Sequence, residues 1–463
     1  MGSQIIRLAR SVLSRSAVLG LAGALALASA GCGEERIAAA PENAAATLAF
    51  SGALGWAATT PGGRGGEIVR VTTLAGKGPG SLREAIEREG PRIIVFEVGG
   101  VIDLEKKTLV IRNPFVTIAG QTAPSPGITL IKGGIDIRGH DVIVQHIRIR
   151  PGDAGDAPAS GWGEDGISTV AAYNVIVDHC SLTWATDENL SASGPRFTGK
   201  SPDEWREGTS HRITFSNNII AEGLSHSTHP KFEHSKGSLI HDNVSDILIY
   251  GNLYAHNYER SPLFKGGVRG AIVNNFIYNP GPRAIHYNLQ PLEWGEAAPE
   301  TGRMTVIGNV LRAGPSTPKD VAFIMIGGGG DLELYERDNV YIDEFGKPLE
   351  RLGRYTSAAA AIVEAAVPLD MPEDLAPIAA TAVEAFVLAN AGARPWDRDA
   401  HDVRLLADVA EGRGRIIDSQ EEVGGYPKMP ETARAFEPSK WSLETMEPNA
   451  PDVLDASQKS GGT

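Results

Sequence analysis

Two short acidic segments of this 463-residue chain are candidates for binding a metal ion. Glu164 and Asp165 form the first, and Asp187 and Glu188 belong to the second. Carboxylate oxygens are the hard ligands that Ca²⁺ prefers, so the two segments predict a calcium site if the fold brings them together. The alternative is that they are solvated acids at loop corners.

A third segment, HSTHPKFEHSKGSLI, crowds three histidines and two lysines into eleven residues: His226, His229, Lys231, His234 and Lys236. Dense histidines suggest zinc. Their spacing, however, matches no common helical zinc motif, and no cysteine lies nearby, so we do not expect zinc here.

The fourth segment, NYERSPLFKGG, places Arg260 just ahead of a proline and Lys265 directly before two glycines. Taken alone, an arginine in such a position is more often a surface ion-pair partner than a catalyst. A catalytic role for Arg260 therefore depends on which side chains the fold places beside it.

A repeated eight-residue block must position these segments. It recurs at intervals of 24 to 38 residues and starts at Val142, Val175, Ile213, Ile247, Ala271 and Met304. Each copy is apolar at its first and third positions and carries Asn, His or Gly in its middle, which is typical of a short strand followed by a bend. Repetition at this period predicts a solenoid, in which equivalent residues of successive coils lie side by side. The alternative is a β-sandwich, whose strands usually recur about every 8–12 residues.

We therefore predict an all-β fold, a right-handed parallel β-helix, over residues 61–345. The segment GPGSLREAIE predicts a short N-terminal capping helix with Ser81 as its N-cap, which covers the open first coil. Residues 346–463 are predicted to pack on the solenoid as a partly helical segment with a frayed tail. Within it, the Ala-rich stretch from Ala358 to Ala391, which Pro368, Pro372 and Pro377 interrupt, and the segment RDAHDVRLLADVAEG have helical patterns.

The N-terminus is typical of an exported protein. Three arginines precede an apolar stretch at residues 17–28, which is too short to span a membrane, so residues 1–32 are predicted to be a signal peptide. Gly31–Cys32 resembles a lipoprotein processing site, and a lipid anchor at Cys32 and simple secretion both stay open. We expect a secreted, periplasmic or outer-surface protein, with residues 33–60 as a flexible tether. Cys180 is the only other cysteine, so no disulfide framework is expected.

The formal net charge of −14 argues against a nucleic-acid partner, which would require a basic face. An acidic protein can still bind a polyanionic substrate when a metal ion and a few cationic side chains line the cleft.

Several motifs occur in the order in which pectate lyases carry them. They are VIVDHCS, TDEN, ITFSNN, SKGSLI and AHNYERSPLFKGG. Five others, GGRGG, GSLREAI, TIAGQTAP, RIRPGD and NAGARPWDRD, resemble the bacterial branch of that family. The resemblance covers about residues 60–427, and several motifs in one order are far more specific than any one of them.

The resemblance implies a calcium-dependent lyase that cleaves pectate, a (1→4)-α-D-galacturonan. A base removes the C-5 proton beside the uronate carboxylate while cations stabilise the developing charge. The 4-linked sugar then leaves, and the chain keeps a 4,5-unsaturated end. We accordingly expect Ca²⁺ as cofactor, an acidic plant or algal polysaccharide as partner, and a monomer.

The family's calcium ligands carry over in part. Asp165 and Asp187 match two of them. A third falls on Ser191, where Glu188 is expected to take its place. A fourth falls two residues before Asp165 on a glycine, where Glu164 is the candidate substitute.

The family's cationic residues also carry over. Arg260 matches the catalytic arginine, so we expect activity to rise in the alkaline range, where a guanidine can act as base. Lys236 matches the lysine that neutralises a substrate carboxylate, with Lys231 as the alternative. Lys265 occupies a place usually held by a second arginine, and its single ammonium should bind a carboxylate less directionally.

Other functions remain open. A polygalacturonase-like hydrolase would use paired carboxylates, but the NTD, GHG and RIK signatures of such enzymes are absent from the sequence. A lyase acting on methylated pectin would lack the acidic cluster. The remaining alternatives are a lyase on another uronate-containing polysaccharide and a β-helix that binds glycan without cleaving it.

Overall fold

The computed structural model describes residues 47–234, 236–358 and 360–455. The predicted signal peptide and Cys32 lie outside these residues. Within them, the chain winds through three parallel sheets, visiting each sheet once per coil. No helix in this part of the chain is long and apolar enough to cross a membrane.

The three sheets are numbered in the order in which a coil passes through them. The first sheet contains the strands Glu67–Val71, Arg92–Phe96, Val116–Ala119, Val142–Gln145, Tyr173–Asp178, His211–Ser216, Ser245–Tyr250, Arg269–Val273, Gly302–Ile307, Leu332–Arg337 and Ile362–Glu364. The second contains Val98–Asp103, Ile128–Ile131, Arg148–Arg150, Ser181–Thr183, Ile219–Ala221, Leu253–Ala255, Phe276–Tyr278, Val310–Arg312 and Val340–Ile342, with Thr432–Ala433 antiparallel at its edge. The third contains Leu109–Ile111, Ile135–Ile137, Ile167–Val170, Leu190–Ser193, Leu239–Ile240, Leu263–Lys265, Ile285–Leu289, Ala322–Gly328 and Glu350–Arg354.

The repeated block is confirmed as the unit of the first sheet. Val142 pairs with Val175, which pairs with Ile213, and Ile213 with Ile247. The fifth copy was placed one residue late, because Gly270 rather than Ala271 is the partner of Ile247. Glycine has no side chain to contribute to an apolar pattern, so the pattern alone could not mark Gly270 as the start of that copy.

The bend after each first-sheet strand explains the Asn, His and Gly in the middle of the block. One residue there has a positive φ of 49–67°, which Gly, Asn, Asp and His tolerate best. These residues are His146, His179, Asn217, Gly251, Asn274, Gly308 and Asp338.

A ladder of asparagines, buried except at its last member, follows these bends. The side-chain oxygen of each accepts hydrogen bonds of 2.9–3.2 Å from the backbone and side chain of the one before. The ladder consists of Asn218, Asn252, Asn275, Asn309 and Asn339. It satisfies backbone groups that a turn would otherwise leave unpaired inside the protein.

Helices cover the end and one side of the solenoid. They are Leu82–Glu87, Pro202–Gly208, Pro291–Trp294, Ala380–Asn390, Ala400–Ala410 and Asp452–Asp455, with 3₁₀ turns at Gly120–Thr122, Gln420–Val423 and Pro438–Lys440. The predicted capping helix is confirmed, since the Ser81 side chain accepts from the Glu84 N–H at 3.3 Å and the helix buries Leu82 and Ile86. Helices Ala380–Asn390 and Ala400–Ala410 pack on the outside of the second sheet.

Four predicted boundaries differ from the structure. Residues 47–60 were expected to be tether, but Phe50 and Ala57 are buried against the first sheet. The last coil runs to Glu364 rather than ending at residue 345. The Ala-rich helix starts only at Ala380, since the prolines that precede it interrupt helical hydrogen bonding. The last twenty residues were expected to be frayed, yet Met446 is buried against the first coils, while residues 456–463 lie outside the described part of the chain.

Candidate active site

The predicted site residues other than Lys231 and Lys265 meet at the corner where each coil turns from the second sheet into the third. Each one precedes a third-sheet strand on consecutive coils: Asp165 before Ile167–Val170, Asp187 and Glu188 before Leu190–Ser193, Lys236 before Leu239–Ile240, and Arg260 before Leu263–Lys265. Glu188, Lys236 and Glu259 pair in parallel, backbone to backbone, across three coils. Residues far apart in sequence therefore become neighbours through the register of the solenoid.

Three carboxylates form a compact cluster at this corner. Asp165, Asp187 and Glu188 each offer an oxygen within 4.8 Å of the others. Burial, together with the negative charges of Glu188 and Asp187, raises the pKa of Asp165 well above its ordinary value. Burial also raises the pKa of Glu188, against the opposing effect of Arg260. The three carboxylates thus crowd negative charge together at this corner, and a divalent cation bound between them would compensate that charge.

Hydrogen bonds orient the carboxylate of Asp165. It accepts from the Glu188 N–H at 3.0 Å and from the Ser191 hydroxyl at 2.9 Å. Ser191, which occupies the place of a family ligand, thus orients another candidate ligand. Glu164 lies outside the three-carboxylate cluster, although it lines a cavity together with Asp165 and Asp187, and one of its carboxylate oxygens accepts from the Thr108 hydroxyl and from the Gly134 N–H at 2.9 Å. Of the two substitute ligands that the sequence suggested, Glu188 lies in the cluster and Glu164 beside it, so a ligand role for Glu164 stays a prediction.

Two histidines of the third segment surround Asp187. The Nε2 atom of His234 lies 2.6 Å from its carboxylate, and that of His229 lies 3.6 Å away. The two rings stack with centroids 3.9 Å apart. The Nδ1 atom of His229 accepts the Lys231 N–H at 3.1 Å, so the Nε2 atom carries the ring proton and points it at Asp187. In a zinc-bound histidine, the ring nitrogen that does not bind the metal usually donates a hydrogen bond, whereas the Nδ1 atom of His229 accepts one. Asp187, His229 and His234 each offer a ligand atom within 4.8 Å of the others and so could hold a metal ion, but the hydrogen bond that the Nδ1 atom of His229 accepts does not favour zinc.

Arg260 reaches the carboxylate cluster directly. Its guanidinium contacts the Glu188 carboxylate, and its backbone has a positive φ of 66°. The coil below comes very close, since a Cβ on Gly237 would lie 2.4 Å from the Arg260 carbonyl oxygen. Only glycine fits at position 237, and this close approach places Lys236 beside Arg260.

Lys236 is buried within a ring of charges. Its ammonium contacts Glu259, whose other carboxylate oxygen contacts Arg283. Burial, with the nearby charges of Arg260 and Arg283, lowers the pKa of Lys236 to about 7. Neither Glu259 nor Arg283 was a sequence candidate. The backbone pairing of Glu259 with Lys236 could have pointed to Glu259, but only once the register was known.

A cleft of about 520 Å³ runs from the acidic cluster past Arg260 to Lys265. Lys231 lies exposed along it and forms no ion pair with any residue that the structure describes. Lys265 lies at the far end, where its ammonium contacts Glu293 and is 3.3 Å from Asp242. The lining residues all precede residue 346, so the C-terminal segment does not form this cleft.

No family model matches the chain. A protein of Emericella nidulans named probable pectate lyase C is 33% identical over 385 residues, which cover 82% of this chain and 80% of that protein. A protein of the same name from Aspergillus fumigatus is 30% identical over 432 residues, covering 92% of this chain and 90% of that protein. Because these relatives are fungal, the bacterial branch suggested by the motifs is not supported.

Solved structures resemble the fold at lower identity. The major allergen of cedar pollen has a TM-score of 0.52 at 19% identity, over 74% of this chain and 92% of that chain. A pectate lyase bound to a hexasaccharide has a TM-score of 0.51 at 15% identity, over 76% of this chain and 100% of that chain. At these identities the likeness supports the parallel β-helix fold alone.

Proposed function

This chain belongs to the pectate lyase family, and we propose that it cleaves (1→4)-α-D-galacturonan by calcium-dependent β-elimination, leaving 4,5-unsaturated ends. The observation that carries the proposal is the meeting of three carboxylates with Arg260 and Lys236 at one corner of the solenoid. An elimination beside a uronate needs a base and groups that stabilise the charge developing on the carboxylate, and a cation site with a positive side chain can supply the second.

The residues present suit calcium. Asp165, Asp187 and Glu188 would hold the ion, since they offer only hard oxygen ligands and their crowded negative charge lacks full compensation. When bound, Ca²⁺ would supply positive charge beside the substrate carboxylate and make the C-5 proton more acidic.

The cationic side chains would remove the proton and bind the substrate. Arg260 would remove the C-5 proton, and its contact with Glu188 holds the guanidinium at the edge of the cluster. Lys236 would bind the uronate carboxylate, with Lys231 contributing from the exposed side of the cleft. Lys265 would contact the sugar at the far end. Its ion pairs with Asp242 and Glu293 limit that role.

The same proposal places the protein outside the cytoplasm, as the predicted signal peptide at residues 1–32 requires. There it would act as a monomer on an acidic plant or algal polysaccharide. Simple secretion is the form of export that we propose.

A spectroscopic assay tests the reaction. Polygalacturonate and Ca²⁺ are mixed with the purified protein, and the ultraviolet absorbance of the conjugated 4,5 double bond is followed. We expect absorbance to rise and a chelator to abolish the rise. Chain shortening without new absorbance would indicate a hydrolase, and binding without either change would indicate a non-catalytic glycan-binding protein. A rise that persists after chelation would contradict the role of calcium.

A further inference from the structure

The far end of the cleft carries a cluster of four charged side chains that the elimination itself does not use. We call it the Lys265 cluster, and its members are Arg196, Asp242, Lys265 and Glu293. Arg196 comes from the loop after the strand Leu190–Ser193, and Glu293 from the short helix Pro291–Trp294. Two separate excursions from the solenoid therefore meet over Lys265.

The donors of both cations are directed at the two carboxylates. Arg196 donates from Nε to Asp242 at 3.0 Å, and from Nη2 to the Glu293 carboxylate at 2.8 Å. The Nη1 atom of Arg196 donates to the backbone carbonyl of Glu293 at 3.0 Å. Lys265 contacts the same carboxylates. Asp242 is fully buried and also accepts a hydrogen bond from the Trp294 indole at 2.9 Å. This bond holds the Asp242 carboxylate in position beneath the two cations.

The cluster is electrically neutral, since two cations face two carboxylates. The Glu293 side chain is 33% exposed and faces the cleft, whereas that of Lys265 is only 9% exposed. A uronate carboxylate arriving here would meet the negative charge of Glu293, and both cations are already paired with carboxylates. The neighbouring His241 adds no charge at neutral pH, because burial lowers its pKa to about 4.

The two ends of the cleft therefore differ in the charge they can accept. Around the acidic cluster, four cationic side chains face four carboxylates, so a bound divalent cation would leave that end positive; they are Lys231, Lys236, Arg260 and Arg283, with Asp165, Asp187, Glu188 and Glu259. At the Lys265 cluster no surplus positive charge exists. Resting on the proposed function, we infer that the Lys265 end is a subsite for an uncharged, methyl-esterified galacturonate unit.

An ester suits this surface for a simple reason. Its carbonyl oxygen still accepts a hydrogen bond from the remaining N–H groups of Arg196 or Lys265. Because it carries no charge, it is not repelled by Glu293 and need not displace an existing ion pair. The substrate class is then partly esterified galacturonan, with a free carboxylate at the metal end and an ester at the other.

Galacturonans of equal length and graded methyl esterification test this inference with the intact protein and Ca²⁺. We expect the initial rate of double-bond formation to hold or increase up to intermediate esterification. A rate that falls steadily from the fully de-esterified polymer would overturn the inference while leaving the proposed function intact. If no polymer yields unsaturated product, both fail.

Glu293→Gln supplies the second arm. Removing this charge leaves Lys265 paired with Asp242 alone and gives the cluster a net positive charge, so the rate on de-esterified polymer relative to esterified polymer should rise about threefold or more. Glu384→Gln is the matched control, since Glu384 is 37% exposed and ion-paired to Arg312 away from the cleft. An unchanged ratio in a folded Glu293→Gln variant, equal to that of the control, would overturn the inference.

Discussion

Glu188 and Arg260 form an ion pair between two coils of the solenoid. The Arg260 guanidinium contacts a carboxylate whose side chain is only 6% exposed, and the same carboxylate belongs to the acidic cluster. One side chain thus links the proposed calcium site to the proposed base. Its removal should affect both.

Glu188→Gln tests this link, with a substitution of Glu164 for comparison. Losing one ligand charge should weaken calcium binding about tenfold or more, which calorimetric titration of Ca²⁺ measures directly. Glu164→Gln is the control. The Glu164 carboxylate already accepts hydrogen bonds from Thr108 and Gly134, so this substitution should change the calcium affinity little. A larger loss in Glu164→Gln than in Glu188→Gln would mean that the ligand set is wrong.

Arg260→Lys tests the base. A misplaced amine should lower kcat about 10²- to 10⁴-fold, as loss of a positioned proton acceptor does, while thermal unfolding stays close to that of the native protein. Arg303→Lys serves as a matched control, since Arg303 is 39% exposed and pairs with Glu333 on the outside of the first sheet. Native kcat in Arg260→Lys would remove Arg260 from the mechanism.

The pH dependence should show two opposite trends. With its pKa at about 7, Lys236 is charged below that pH and loses its charge above it. We therefore expect kcat/KM to lose the contribution of Lys236 as pH rises through about 7, whereas kcat should rise toward alkaline pH if Arg260 is the base. Lys236→Arg keeps a positive charge throughout the range, so its kcat/KM should lack the fall near neutrality. A fall of equal size in Lys236→Arg would assign the titration to another group.

The asparagine ladder predicts a stability effect far from the site. Asn275→Ala removes a side chain that accepts from Asn252 and donates to the Ile249 carbonyl at 2.9 Å, which leaves buried groups unpaired. We expect the free energy of unfolding to fall by about 1–3 kcal/mol in chemical denaturation. Asn449→Ala, at an exposed hydrogen bond, should change it by less than about 0.5 kcal/mol. Equal effects of the two substitutions would contradict the structural role of the ladder.

The solenoid could be predicted from local patterns because each coil repeats the same physical requirements. Apolar residues at alternate positions of the block determine which side faces the core, and a residue tolerant of positive φ must follow each strand. Asn252 and Asn309 could be assigned to stacked bends for the same reason. The motif resemblance then supplied residues such as Asp165 and Arg260, which the register of the coils placed together.

What the sequence by itself determined was therefore the repeat, the family motifs and the identity of the chemical groups. Only the tertiary structure decided their directions: Glu164 turns toward Thr108, His234 turns toward Asp187, and Glu293 closes over Lys265. These orientations depend on partners from distant coils and from long irregular loops, which no local periodicity specifies. A side chain's orientation depends on the atoms within a few ångströms of it, and those neighbours exist only after the chain has folded.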